Sequence, residues 1–309
     1  METNIIYNKD CIEGMKELPD GSVNLILTDL PYGTTACEWD KIFNLDELWK
    51  QYKRILKEDG VIVLTSSQPF TSQLVMSNPQ MFREELCWLK NKSGSGLQAN
   101  QKHIKIHENI LVFSKKGKYT YNKQKWLVDK KEFLTQRKTF NTLEVGNTIY
   151  SKMLKTQKAD DGSRNPVSVL SCRVPHNPSN TKEYNYFEND IRFHPTQKPL
   201  KLFEYLVETF SNENDIVLDS CIGVGTTALV CKKLNRQFIG YEIDPQYYKI
   251  SLERLSDKTS TSATPTLAKP KEFNKGLEVS ATPTPKEFPK EIPSPNPNIK
   301  RNLKRGITE

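Results

Sequence analysis

The sequence predicts an α/β protein built around a covered, mostly parallel sheet. Three observations predict it. Apolar runs of strand length stop abruptly at polar residues, as Val23-Asn24-Leu25-Ile26-Leu27 does before Thr28-Asp29, the pattern of a strand buried on both faces. Stretches with a helical apolar period alternate with those runs. One run ends in Asp219, and a glycine pair, Gly223 and Gly225, follows directly ahead of a helical stretch.

The elements follow in order. Residues 4–7 form a short strand and residues 23–27 the first buried one. Residues 45–57 carry Leu45, Leu48, Trp49, Tyr52, Ile55 and Leu56 at helical spacing, and Asp59-Gly60 is expected to end that helix. Residues 61–64 and 110–113 are strands. Residues 199–210 are an amphipathic helix with Leu200, Leu202, Phe203, Leu206 and Val207 on its apolar side. Then come a strand at 215–219, a helix at 226–234, a strand at 237–243 and a closing helix at 245–255.

The chain has 309 residues, of which 36% are apolar, enough for one sizeable core and two or three domains. The mean hydropathy of -0.64 also requires exposed polar segments. The formal charge is +8, and it is concentrated. Residues 114–164 hold 13 basic and 5 acidic side chains, with Tyr119, Tyr121, Trp126, Phe133, Phe140 and Tyr150 interleaved. Cations neutralise phosphates and rings stack on bases; a solvated insertion is the plainer alternative. Residues 257–309 contain 8 of the 18 prolines and read as a disordered tail. No apolar run is long enough for a membrane span and no leader peptide is evident. None of Cys11, Cys37, Cys87, Cys172, Cys221 and Cys231 forms a C-x-x-C pair, which fits a reducing cytoplasm. His103 and His107 lack a third partner, so no metal site is expected. Cys221 and Cys231 read as buried fillers.

Two strand ends carry chemistry. Asp219-Ser220-Cys221-Ile222-Gly223-Val224-Gly225-Thr226-Thr227 puts a carboxylate and a glycine turn between strand and helix, with Ala228 where a third glycine is usual. Glu242 lies at the end of the next strand, where nucleotide-binding folds place a ribose acceptor. A structural turn is the alternative. Thr28-Asp29-Leu30-Pro31-Tyr32-Gly33 ends another buried strand, so Asp29 is either a cleft carboxylate or the N-cap of a turn.

Thr28-Asp29-Leu30-Pro31-Tyr32-Gly33 resembles the Asp-Pro-Pro-Tyr signature of amino-group DNA methyltransferases. The Asp219 loop resembles their S-adenosylmethionine loop, and His194-Pro195-Thr196-Gln197-Lys198-Pro199 is similar to the segment preceding it. The order of the three matches the β group of that family. Leu30 replaces the first proline of the signature, and Ser220-Cys221 replace the usual Pro-Phe. The resemblance implies a Rossmann-like S-adenosylmethionine methyltransferase sheet, circularly permuted, with a basic inserted recognition domain. Residues 1–113 would form the catalytic half, 114–190 the target recognition domain and 191–256 the cofactor half. It implies catalytic roles for Asp29, Leu30, Pro31 and Tyr32 on a flipped base. It implies cofactor contacts from Asp10, Thr196, Lys198, Asp219, Gly223, Gly225, Thr226, Thr227 and Glu242. The Asp form of the signature points to adenine N6, with cytosine N4 the runner-up, RNA as substrate third, and a catalytically silent DNA-binding protein the alternative from another class. The expected partner is double-stranded DNA, with a restriction endonuclease as candidate companion and a monomer or homodimer as the assembly.

Overall fold

The computed structural model describes residues 1–33, 43–90, 99–127, 163–171, 193–194 and 196–256. The compact unit is Met1–Ser262. The proline-rich tail and most of the basic span, 128–162 and 172–192, lie outside the described residues. Among the described residues no helix is long and apolar enough to cross a membrane.

The strands are β1 (Ile5–Tyr7), β2 (Val23–Asp29), β3 (Leu56–Ser66), β4 (Phe82–Leu89), β5 (His107–Phe113), β6 (Trp126–Leu127), β7 (Ser163–Arg164), β8 (Val169–Ser171), β9 (Ile216–Asp219) and β10 (Gln237–Tyr241). The helices are α1 (Cys11–Lys16), α2 (Leu45–Ile55), α3 (Phe70–Ser77), α4 (Leu200–Phe210), α5 (Thr226–Lys233) and α6 (Pro245–Ser256). Eight strands form one sheet in the order β1-β10-β9-β2-β3-β5-β4-β8, while β6 and β7 pair separately. The sheet is mixed: β5 runs antiparallel to both β3 and β4, and the other pairings are parallel.

Strand alternation explains why both faces are covered. Ile26, Ile62, Leu64 and Leu218 point to one side and pack with Met15 of α1, Leu48, Trp49 and Tyr52 of α2 and Leu74 of α3. Leu25, Leu27, Val63 and Val217 point to the other and pack with Leu202, Phe203 and Leu206 of α4 and Val230 of α5. Each fully buried aliphatic side chain is worth about 1.5–3 kcal/mol relative to exposure, so the two apolar layers fix the strand register.

Three expectations need correction. Helix α2 ends at Ile55, and Asp59-Gly60 lies inside β3 instead of breaking the chain. Leu56 is fully buried and pairs with Val23, so the strand starts there. A Cβ at Gly60 would stand 2.9 Å from the Asn24 carbonyl oxygen, so glycine permits that close strand approach. Secondly, Tyr119 packs on the core and donates to Glu84 at 3.2 Å instead of standing free, whereas Tyr121 stays exposed with its ring 6.2 Å from that of Phe210. Thirdly, Cys221 is only partly buried at the core margin, whereas Cys231 is the expected buried filler.

Candidate active site

The sheet order locates a crevice. From β9 the chain crosses α5 toward β10, and from β2 it crosses α2, on the opposite face, toward β3. Adjacent strands whose connections diverge in this way open a ligand site at their C-terminal ends. Asp219 ends β9 and Asp29 ends β2. The two ends are tied together: the Ser220 N–H donates to Thr28 Oγ1 at 3.1 Å. The Ser220 hydroxyl lies 2.6 Å from the Tyr52 hydroxyl, so the serine in the proline position is partnered.

On the β9 side, Asp219 is buried, with Oδ1 accepting from the Cys221 N–H at 3.0 Å and Oδ2 from the Thr227 hydroxyl. Burial lifts its carboxyl to about 7, against the pull of the Thr227 and Cys221 hydrogen bonds, and the nearby Asp29 charge adds to the rise. Gly223 and Gly225 sit at φ of 54° and 83°, the left-handed region that glycine occupies without penalty. The Gly223 N–H donates to Glu242 Oε2 at 2.9 Å, and the Asp244 N–H to Oε1 at 2.8 Å. Burial raises the Glu242 carboxyl too. Neither carboxylate forms an ion pair among the described residues. A Cβ at Gly223 would meet nothing within 4 Å, so the loop faces open space. A buried and a half-buried acid without cations beside open space suit a cationic nucleoside.

Thr226 opens α5 and is buried. Asp10 sits at the same edge, because the Glu242 N–H donates to the Tyr7 carbonyl of β1, but its side chain caps α1 by accepting from the Glu13 N–H. Thr196 is exposed and bonds to His194.

On the β2 side, Leu30 is buried and Pro31 and Tyr32 are half-buried. Asp29 Oδ1 accepts from the Tyr32 hydroxyl at 2.8 Å and from the Thr65 hydroxyl. Asp29 Oδ2 accepts from Lys198 Nζ at 2.6 Å. Lys198, expected among the cofactor contacts, has its ammonium on Asp29. Burial would lower the Lys198 pKa, but the Asp29 and Glu108 carboxylates override it and raise it. Burial together with those same charges pushes the Tyr32 hydroxyl well up, so it is a neutral donor.

Thr65, Glu108 and Lys90 were not singled out from sequence. Thr65-Ser66 closes an apolar strand just as Thr28-Asp29 does, a signal that was available. Glu108 begins a strand, and only the antiparallel direction of β5 brings that beginning to the same edge.

Residues 23–253 match the family profile described as DNA methylase, N6_N4_Mtase. The chain belongs to the N6-adenine/N4-cytosine DNA methylase family. This methylase is 31% identical over 271 residues to Type II methyltransferase M.BglII of Bacillus subtilis, across 82% of the present chain and 69% of that protein. It is 28% identical over 288 residues to DNA adenine methyltransferase YhdJ of Escherichia coli (strain K12), across 89% and 90%. The crystal structure of the M1.HpyAVI-SAM complex superposes with a TM-score of 0.54 at 26% identity, over 81% of the methylase and 98% of that chain. The methylase uses S-adenosylmethionine, and the acid pair around the Gly223 turn fits that cation.

Gly225→Ala is expected to cost about 1–2 kcal/mol, the price of a left-handed non-glycine residue. The new Cβ would also stand 3.1 Å from Ser251 Cβ. Chemical denaturation with and without S-adenosylmethionine should show lower stability and a smaller stabilisation by the cofactor.

Proposed function

We propose that the chain is a site-specific DNA adenine N6-methyltransferase acting on a flipped base. The observation that carries the reading is the meeting of Asp29 and the Asp219 loop across the β2/β9 crevice. The signature aspartate and the adenine-specific name of the relative YhdJ both favour adenine.

Residues Asp219, Gly223, Gly225, Thr226, Thr227 and Glu242 would hold S-adenosylmethionine, with Asp10 next to them at the sheet edge. When bound, it supplies an electrophilic methyl on a sulfonium. The exocyclic amine of adenine is a weak nucleophile because its lone pair is shared with the ring. Asp29 and the Leu30 carbonyl would accept its two hydrogens, which turns the lone pair out of the ring plane. Alignment of this kind is worth about 7–11 kcal/mol of barrier, and acceptors facing the developing positive charge add to it. Both lone-pair regions of Asp29 Oδ1 are claimed by Tyr32 and Thr65, so the amine must take the place of one donor. Tyr32, whose ring lies 5.8 Å from that of Phe70, is the natural one to turn and stack on the base. A base inside a duplex cannot reach this crevice and must leave the stack.

The sheet would be a circular permutation of the methyltransferase order, with β9, β10 and β1 as its cofactor half. The basic span 114–190 would form the inserted recognition domain. Relatives named as Type II methyltransferases favour a cytoplasmic modification role beside a restriction endonuclease. Sequencing of modified bases in DNA from cells expressing the chain, with nucleoside digestion and mass analysis, tests the reading. N6-methyladenine at one sequence supports it. N4-methylcytosine overturns the choice of base, and unmodified DNA overturns the activity.

A further inference from the structure

We propose that Lys198 is a positioning residue for methyl transfer, gripping Asp29 Oδ2 so that the carboxylate keeps one fixed plane while the target amine approaches Oδ1. The inference rests on the reading of Asp29 as the amine acceptor. Lys198 is 6% exposed. Its ammonium has two carboxylate neighbours, Asp29 Oδ2 at 2.6 Å and Glu108 Oε2 at 3.5 Å. Glu108 Oε1 in turn holds Lys90 at 2.6 Å. Four charges of alternating sign therefore run from Lys90 after β4, through Glu108 of β5 and Lys198 before α4, to Asp29 at the end of β2.

Oxygen by oxygen, the division of labour is clear. Lys198 occupies only Oδ2, while the donors on Oδ1 are neutral hydroxyls that an amine can displace. Glu108 Oε2 is buried without a hydrogen bond, so it holds the ammonium by charge alone. The ammonium also offsets the Asp29 charge next to Asp219, whose own carboxyl feels that charge. Without Lys198 the two acids at neighbouring strand ends repel, and nothing holds Asp29 Oδ2, so the carboxylate plane can turn away from the amine. The charged or titratable groups around Asp29 are Asp219 of β9, Tyr32 after β2, Lys198, Glu108 and, beyond Glu108, Lys90 and Lys105.

The test compares the full-length wild type with Lys198→Met, Lys198→Arg and Glu108→Gln. Single-turnover methyl transfer to a duplex carrying the target site is followed at saturating S-adenosylmethionine. S-adenosylmethionine affinity is measured separately by calorimetry. Lys198→Met is expected to slow transfer about 100-fold, the order lost when a reacting group is misplaced by an ångström. Its cofactor affinity should stay at the wild-type value. Lys198→Arg should recover part of the rate, and Glu108→Gln should slow transfer by less than Lys198→Met does. If Lys198→Met does not fold, the arginine and glutamine variants carry the test, and wild-type rates in both overturn the inference. Weakened cofactor binding with transfer preserved at saturation overturns it as well, making Lys198 a cofactor ligand. A wild type that methylates no DNA fails the underlying reading, whereas an active wild type with unaffected variants fails only the role of Lys198.

Discussion

Replacing Asp29 with alanine is expected to abolish methyl transfer while S-adenosylmethionine still binds. The substitution removes the Oδ1 that faces the amine and leaves the Leu30 carbonyl as the sole acceptor. Losing one preorganised polar contact of this kind typically costs about 100–1000-fold in rate, and here the alignment of the nucleophile goes with it. The same change strips a partner from Lys198, which is buried. Breaking a buried ion pair from one side costs about 3–5 kcal/mol, although Glu108 remains to hold the ammonium and Asp29 itself is 23% exposed, which places the expected loss at the low end. Asp29→Asn separates the two effects. It keeps the side-chain volume and one acceptor oxygen but loses the charge, so it should melt nearer to the wild type and still transfer slowly. Labelled-methyl transfer, thermal melting and cofactor calorimetry on the two variants check this. Full turnover by Asp29→Ala would remove Asp29 from the mechanism.

Cofactor affinity should rise with pH and level off above neutrality. Burial holds the Asp219 carboxyl at about 7, against an ordinary value of 3.8. Between those two values the folded chain carries a proton that the unfolded chain has released, so ionisation of Asp219 works against the fold as pH rises through this window. A bound cation reverses the balance by favouring the carboxylate. Binding below about pH 7 must therefore expel a proton. At about pH 6 the dissociation constant should be about tenfold weaker than on the alkaline plateau, since one pH unit corresponds to 1.36 kcal/mol. Calorimetry in buffers of different ionisation enthalpy reads the released proton directly. Asp219→Asn should bind weakly at every pH, with a flat profile. A flat profile in the wild type would exclude Asp219 from contact with the cation.

Much of this architecture is legible in the amino-acid order, for identifiable reasons. Helix α4 shows in Leu202, Phe203, Leu206 and Val207 because one face of it is wholly apolar. Strands β2 and β9 show as nearly continuous apolar runs, broken only by Asn24, because helices cover both sides of them. Strand β4 does not, since Arg83, Glu84 and Glu85 stand inside it. Arg83 is accommodated by the Ser114 side chain and by backbone carbonyls, contacts that depend on where β5 ends. Asp59-Gly60 reads as a break because local preference favours one, yet burial of Leu56 overrides it. Asp29, Asp219 and Glu242 are legible because each follows a strand. The Lys90–Glu108–Lys198 chain is not, because its members come from three separate segments and meet only when β5 runs against its neighbours.

Strand β1 has a consequence for how the protein is made. It leaves the ribosome well over two hundred residues before its neighbour β10. The backbone bond from Glu242 to Tyr7 must wait for that late arrival, and contacts between distant parts of a chain form slowly. A nascent chain therefore already carries the Asp29 segment while the edge that supports Glu242 is still missing. The two strand ends that carry Asp29 and Glu242 can share one sheet only after β10 has been made.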